Sequence, residues 1–343
     1  MNKLLLKSWR DFFDANNLTT HEIEAYLKYV SKIIDNNMPV IFELSHLSKL
    51  LGIDLKLLAK IISSPNKFYR KFTIPKRRGG EREIVSPFPV LHDVQIWIYE
   101  NILGKIVLHQ ASYGFIKGRS IFDNAKEHLG NNEILTIDIK DFFGSITKKN
   151  VVSIFRDLGY SNIVSLNLAS FCCLDDKLPQ GACTSPALSN IFAKRLDRRL
   201  AGLAKKMELT YTRYADDMSF SGDRVPRNVI TTIESILGEE GFLINKGKTR
   251  LKVGTHKKIV TGLLVGGEQV RVPKLYKRHL RKDIYYIKTY GLSSHLKKIG
   301  KFDPLYIERL IGKLNYLLYI EPDNRFALCA ITDLKDLVKI NYT

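Results

Sequence analysis

The sequence predicts an α+β fold, and three observations carry that expectation. Apolar residues recur at helical spacing through roughly the first 66 residues and again along the tail from Leu275. Between these regions lie short alternating runs bounded by turn residues, as in "FYRKFTIPKRRGGEREIVSP" and "YTRYADDMSFSG". Helix-length apolar segments separate those runs, so helix and strand are interleaved along one chain.

Taken in order, "HLSKLLGIDLKLLAKIISS" turns at Gly52 with the spacing of a helix-turn-helix, but reads more simply as a helical packing layer. Gly79-Gly80 marks a hairpin whose turn is crowded by Lys76, Arg77, Arg78 and Arg82. "VLHDVQIWIYENIL" has helical periodicity, and "EILTIDIKDFFGSI" reads as a buried strand with Asp138 near its end. Helices are expected at "VVSIFRDLGY" and "IVSLNLASFCCL". "LPQGACTSPALSNIFAKRLDRRLAGLAKK" reads as a turn followed by one long helix starting at Ser185-Pro186. After the "YTRYADDMSFSG" hairpin come an amphipathic helix near 226–239 and strands at "GFLI", "KIVTGLLV" and "EQVRVP".

A chain of 343 residues has room for two or three domains. Its 45% hydrophobic content is ordinary; its charge is not, with 54 Lys+Arg against 35 Asp+Glu and a net +19. Such an excess points to a polyanionic partner. No stretch approaches the roughly 20 apolar residues of a spanning helix. The N-terminus, broken by Lys7, Arg10 and Asp11, does not read as a signal peptide, so a membrane partner is not expected. Cys172, Cys173, Cys183 and Cys329 lack C-x-x-C spacing and read as reduced thiols of a cytoplasmic protein. From Lys246 to Lys301, 16 Lys/Arg face only Glu268 and Asp283, which suggests a surface that tracks phosphates.

Asp216 and Asp217 are adjacent in the middle of an expected hairpin. Two unit charges 4 Å apart repel by about 1 kcal/mol in water and about 4 kcal/mol at an effective dielectric of 20. A divalent cation would offset that repulsion, and magnesium favours one or two carboxylates shared with substrate phosphates. Asp138, closing "LTID", is the candidate third carboxylate of a two-metal site.

The motifs in this order, "IPKRRGGEREI", "YGFIKGRSIFDNAKEH", "IDIKDFFGSI", "LPQGACTSPALSN", "YTRYADDMSFSG", "GFLINKGKT" and "VTGLLV", resemble those of reverse transcriptases over about residues 45–265. Asn124-Ala125-x-x-His128 and Val260-Thr261-Gly262 are similar to retron reverse transcriptases in particular. The resemblance implies a right-hand polymerase fold. Residues 1–66 would be an N-terminal helical region and 67–133 the fingers. The palm would span 134–269, with intervening finger helices at about 147–178, and a basic helical thumb 270–343.

It also implies roles. Asp138, Asp216 and Asp217 would hold two Mg2+ ions. Phe143 would lie under the sugar of the incoming nucleotide and clash with a 2′-hydroxyl, the alternative being that it is core, as its neighbour Phe142 is expected to be. Gln180 and Gly181 would sit by the nascent base pair, and Lys76 and Arg82 on the triphosphate, with Arg77 and Arg78 as competitors of Lys76. Lys248 would donate a proton to pyrophosphate or simply contact phosphate. Asn124 and His128, sharing a helix face, would contact RNA, with core or capping roles as the alternative, and so would Val260, Thr261 and Gly262 at a strand edge, with ordinary sheet structure as the alternative. Lys274, Lys277, Arg278 and Arg281 would grip the duplex.

The implied partners are dNTPs and a dedicated structured noncoding RNA, both template and primer. Synthesis would start from an internal guanosine 2′-hydroxyl and leave a branched RNA–DNA hybrid. An effector protein encoded nearby would link the product to defence against phage. An intron-type or diversity-generating reverse transcriptase would share the aspartates, and an RNA-binding subunit with dispensable chemistry is the remaining alternative.

Overall fold

The α+β expectation holds in a computed structural model that describes residues 2–76, 79–254, 256–300 and 303–341. Helix α1 (Asn2–Ala15) lies against α2 (Thr20–Asp35), which opens with a capping box between Thr19 and Glu22. Ile23, Leu27 and Val30 on α2 close over Phe13 to make a small separate core. Helix α3 (Leu44–Leu51) stops at Gly52, whose φ of 66° suits glycine, and Asp54 caps α4 (Leu55–Ser63). Leu47, Leu58 and Ile61 are fully buried in the main core, so this pair is a packing layer.

Strands β1 (Tyr69–Pro75) and β2 (Glu81–Pro87) form an antiparallel hairpin from Tyr69↔Pro87 out to Pro75↔Glu81. Only its root is buried: Tyr69, Val85 and Pro87 face the core while the outer half stands in solvent. Helix α5 (Pro89–Asn101) follows, then a long loop through Tyr113-Gly114-Phe115 into the short α6 (Ile121–Lys126).

The central sheet runs β4 (Thr210–Tyr214), β5 (Asp217–Gly222), β3 (Glu133–Lys140), β6 (Leu243–Ile244), with β7 (Arg250–Val253) also on β3. All pairings are antiparallel. Helices α7 (Lys148–Asp157), α8 (Asn162–Cys172), α9 (Ser185–Phe192), α10 (Lys194–Lys206) and α11 (Val229–Glu239) supply the rest of the main core. The long helix expected from Ser185 is two helices meeting at Ala193.

The segment after β7 departs further from the sequence pattern. "KIVTGLLV" is a miniature hairpin, β8 (Ile259–Val260) with β9 (Leu263–Leu264), rather than one strand. "EQVRVP" makes only an isolated bridge, Leu264↔Arg271. Short pairings are fixed by register with distant partners, which local alternation does not encode. A helical bundle follows: α12 (Lys274–Tyr290), α13 (Leu292–Lys298), α14 (Tyr306–Ile320) and α15 (Arg325–Asn341). Its core includes Leu280, Ile284, Leu310, Leu314 and Leu334, together with Ala125 of α6 and Ile134 of β3. Leu135, Ile137 and Ile139 of the same strand belong to the main core. Among the described residues no helix is long and apolar enough to cross a membrane.

Candidate active site

The sheet register brings the acidic residues together. Asp138 on β3 is the direct cross-strand partner of Asp217 on β5, and the backbone N–H of Ile139 donates to the Asp216 carbonyl at 2.9 Å. Asp216 belongs to the two-residue turn between Tyr214 and Asp217. Its neighbour Ala215 has φ 56°, the positive value a tight hairpin needs at its first central position. Gly114 lies so close that a Cβ there would sit 2.5 Å from the Ala215 nitrogen, so only glycine fits beside this turn.

The charges crowd one another. Burial, then Asp216 and Asp138, push Asp217 up from 3.8 to about 6, with Lys248 pulling the other way. Burial and Asp138 also raise Asp216. Asp138 is 6% exposed and already answered: Asn245 Nδ2 donates to Oδ1 at 2.9 Å and Lys248 Nζ to Oδ2 at 2.7 Å. Lys248 is held above its usual range first by that bond. Among the described residues no three His, Cys, Asp or Glu side chains are grouped so that they could hold a metal ion as they stand. Hard carboxylate oxygens that repel one another nonetheless fit magnesium, which completes its shell with water and phosphate oxygens. Lys248 now supplies the positive charge that such an ion would bring.

A cleft of about 660 Å³ opens above these residues. Lys76, Arg82, Phe143, Gln180, Asp138, Asp216 and Lys248 all line it. Asp217 lines an adjoining cleft of about 290 Å³ with Asp138 and Lys248. Phe143 is half-buried, its ring centroid 5.6 Å from that of Phe142 and 6.2 Å from that of Phe115. Phe142 is core, at 4% exposure. Gly181, with φ 132°, does permit a close approach, but to the hairpin: a Cβ would lie 2.8 Å from the Val85 carbonyl oxygen. The Val85 N–H donates to the Gln180 carbonyl at 2.8 Å, which ties the hairpin root to this turn. Arg77 and Arg78 lie outside the described residues.

The residues expected to contact RNA need correction. Helix α6 ends at Lys126, so Asn124 and His128 do not share a helix face. His128 is fully buried beneath the sheet, its Nδ1 on Ser221 Oγ and its Nε2 on Thr212 Oγ1, both at 2.7 Å. A ring with both nitrogens engaged and no exposed face is a structural residue, and burial pushes its pKa down to about 4. Asn124 is buried too, and its Nδ2 reaches Thr261 Oγ1 at 3.5 Å. Val260 is core. Thr261 and Gly262 are not a strand edge but a tight turn, with φ 46° and 86°, and nothing lies within 4 Å of a Cβ at Gly262. That glycine meets the turn's positive φ, and no protein atom among the described residues approaches it closely.

His128→Ala is therefore expected to destabilise the protein by about 2–4 kcal/mol, because it strands the buried Thr212 hydroxyl, leaves Ser221 Oγ with Asn131 Nδ2 alone, and opens a cavity. Urea denaturation would measure it. DNA synthesis should fall equally on a cognate RNA and on a generic primer-template. A loss confined to the cognate RNA, with stability unchanged, would restore the surface role.

On α12, Lys274, Arg278 and Arg281 are exposed, with Arg281 5.1 Å from the Phe326 ring centre. Lys277 is committed instead to Glu321, bonding both carboxylate oxygens at 2.9 and 3.0 Å. Several neighbours of the site escape sequence reasoning. Asn245 orients Asp138, and Phe115, with φ 61°, backs Phe143. Arg213 is fully buried against Asp197. The one signal for the last was an arginine inside an otherwise strand-like run.

Comparison with known proteins matches residues 74–272 to the family described as reverse transcriptase (RNA-dependent DNA polymerase). The Retron Ec86 reverse transcriptase of Escherichia coli is 36% identical over 289 residues, 83% of this chain and 86% of that protein. The Retron Mx162 reverse transcriptase of Myxococcus xanthus is 33% identical over 78% of this chain and 61% of its own length. Among solved structures, telomerase from Candida albicans with a telomeric RNA fragment gives a TM-score of 0.42 at 13% identity, covering 91% of this chain and 67% of that one.

Proposed function

The chain belongs to the retron reverse transcriptases, and from that premise we propose that it copies part of a cognate structured RNA into DNA from an RNA 2′-hydroxyl. It is an RNA-directed DNA polymerase with the right-hand fold of its family. The observation that carries the reading is the facing of Asp138 and Asp217 across β3 and β5, with Asp216 in the adjoining turn, where Asp138 and Asp216 line a cleft shared with Lys76, Arg82, Phe143 and Gln180 and Asp217 lines the cleft beside it.

In this reading the hairpin belongs to the fingers (67–133), the sheet to the palm (134–269, with finger helices near 147–178) and the C-terminal bundle to the thumb (270–343), behind the N-terminal helices (1–66). Asp138, Asp216 and Asp217 would hold two magnesium ions, whose chemistry is to lower the pKa of the attacking hydroxyl and to neutralise charge on the phosphates. The chain's own residues do the rest. Lys76 and Arg82 bind the triphosphate by charge-assisted hydrogen bonds. Phe143 excludes a ribose 2′-hydroxyl. Lys248, which lines the cleft with its Nζ on Asp138, would contact the departing phosphates. Lys274, Arg278 and Arg281 track the duplex backbone, and any RNA contact by the 260–262 motif falls to its exposed turn.

The product would be a branched RNA–DNA hybrid, with an effector protein encoded nearby and a role in defence against phage. The test supplies purified protein with its RNA, magnesium and all four dNTPs. Branched cDNA is expected, and scrambling the priming region of the RNA should abolish it. Equal extension of an annealed DNA primer on any template would place the enzyme with generalist reverse transcriptases.

A further inference from the structure

Arg213 is 0% exposed, yet each of its five N–H donors has an acceptor. Nε bonds Asp197 Oδ1 at 2.7 Å and Nη2 bonds Asp197 Oδ2 at 2.6 Å. Nη1 donates to Asn190 Oδ1 at 3.0 Å and to the Ala215 carbonyl at 3.1 Å, and Nη2 also reaches Ser112 Oγ at 3.2 Å. The acceptors come from four places in the chain: α10, α9, the loop before Phe115, and the acidic turn. They are themselves connected. Tyr211 donates to Asp197, Ser112 to Asn190, and Asn190 Nδ2 to the Gly114 carbonyl at 2.8 Å. The guanidinium also lies 5.6 Å from the ring centre of Phe142, the residue before Phe143.

A buried ion pair is a poor device for stability alone, since apolar residues of similar volume often serve as well. What an apolar pair could not supply is the bond onto the Ala215 carbonyl. Ala215 is held at a left-handed φ that side chains resist, immediately before Asp216. We propose that Arg213, clamped by Asp197, is a positioning residue: it fixes the Ala215–Asp216 turn, and with it the approach of Asp216 and Asp217 to Asp138. Asp197 aligns the fork, Asn190 and Ser112 stop it rotating, and one Nη1 hydrogen is left for the turn. The inference rests on the carboxylates being the cation-binding groups of the polymerase.

Two variants of the full-length protein test it. Arg213→Lys keeps the charge but lacks the planar fork. The double variant Arg213→Met with Asp197→Leu removes both charges and refills the core. Each is examined for heat denaturation, for Mn2+ binding by electron paramagnetic resonance, and for primer extension as kcat and dNTP KM. Melting close to wild type is expected for at least one of them. That folded variant should bind Mn2+ about tenfold more weakly, the size seen when a group supporting a ligand is lost. Its kcat should fall by about as much or more, with KM little changed. A folded variant with wild-type Mn2+ affinity and kcat would show that the pair is only structural and overturn the proposal. If the wild-type protein binds no Mn2+, or binds it undiminished after Asp216→Asn, the carboxylate reading fails first and takes this one with it. If both variants fail to fold, the pair is holding the core itself, which also overturns a role confined to positioning.

Discussion

Asp217→Asn is expected to abolish DNA synthesis, by about a thousandfold or more, and at the same time to make the metal-free protein more stable at pH 7.5. The first effect follows from losing a charged oxygen that faces Asp138 across the sheet, since charge stabilisation of this kind contributes several kcal/mol to the transition state. The second follows from linkage. The folded protein raises Asp217 from 3.8 to about 6, so it binds that proton more tightly than the unfolded chain does. The associated stability is fully present below about pH 4 and is lost as pH rises through 6. Asparagine cannot ionise and escapes that loss. Because solvent reaches the Asp217 side chain, the gain is discounted to the order of 1 kcal/mol. Heat denaturation in a chelator should show it at pH 7.5 and not at pH 4. Adding Mg2+ should raise the wild-type melting temperature at pH 7.5 and do so less as pH falls below 6, where protons compete for the same oxygens. Retained synthesis, or a variant less stable than wild type at pH 7.5, would contradict the assignment of Asp217.

Phe143→Ala should relax sugar selectivity, lowering the preference for dNTP over rNTP in kcat/KM by on the order of a hundredfold. The ring lines the cleft beside Asp138 and Asp216, half-buried, and is held from behind by Phe142 and Phe115. Removing it leaves room for a 2′-hydroxyl and costs only the packing of a half-buried ring against the edge of the core. Phe142→Ala is the contrast: that ring is buried, stacks on Phe242 and backs Phe143, so its loss should cost about 3–5 kcal/mol of stability and relax selectivity less than Phe143→Ala does. Single-nucleotide incorporation with matched dNTP and rNTP measures both. Unchanged selectivity in Phe143→Ala would move the gate elsewhere, with Phe115 the next residue to examine.

Much of this site was legible because its key groups sit on local patterns. A two-residue turn between alternating runs announces a hairpin, and placing Asp216 and Asp217 there puts them at its tip. The buried run "EILTID" fixes a central strand with Asp138 at the end. What escaped is what the chain builds from distance. Asn245 reaches Asp138 from 107 residues away, and Arg213 meets Asp197 only after a helix has packed on the sheet. His128 carries a polar type on a short helix exit, so spacing suggested a surface where the fold places it beneath two strands. Beyond Ile244 the strands are two to four residues long, and no periodicity is readable in so few positions.

Strand β3 is shared property. Ile134 seals the interior of the C-terminal bundle while Leu135, Ile137 and Ile139 seal the other, and Asp138 sits on the same eight residues. Trimming the chain at the bundle would therefore not leave an intact catalytic half, because the beam that bears the acid would be stripped along one side. Whatever pulls on the bundle also pulls, through the one strand both interiors share, on the carboxylate of Asp138.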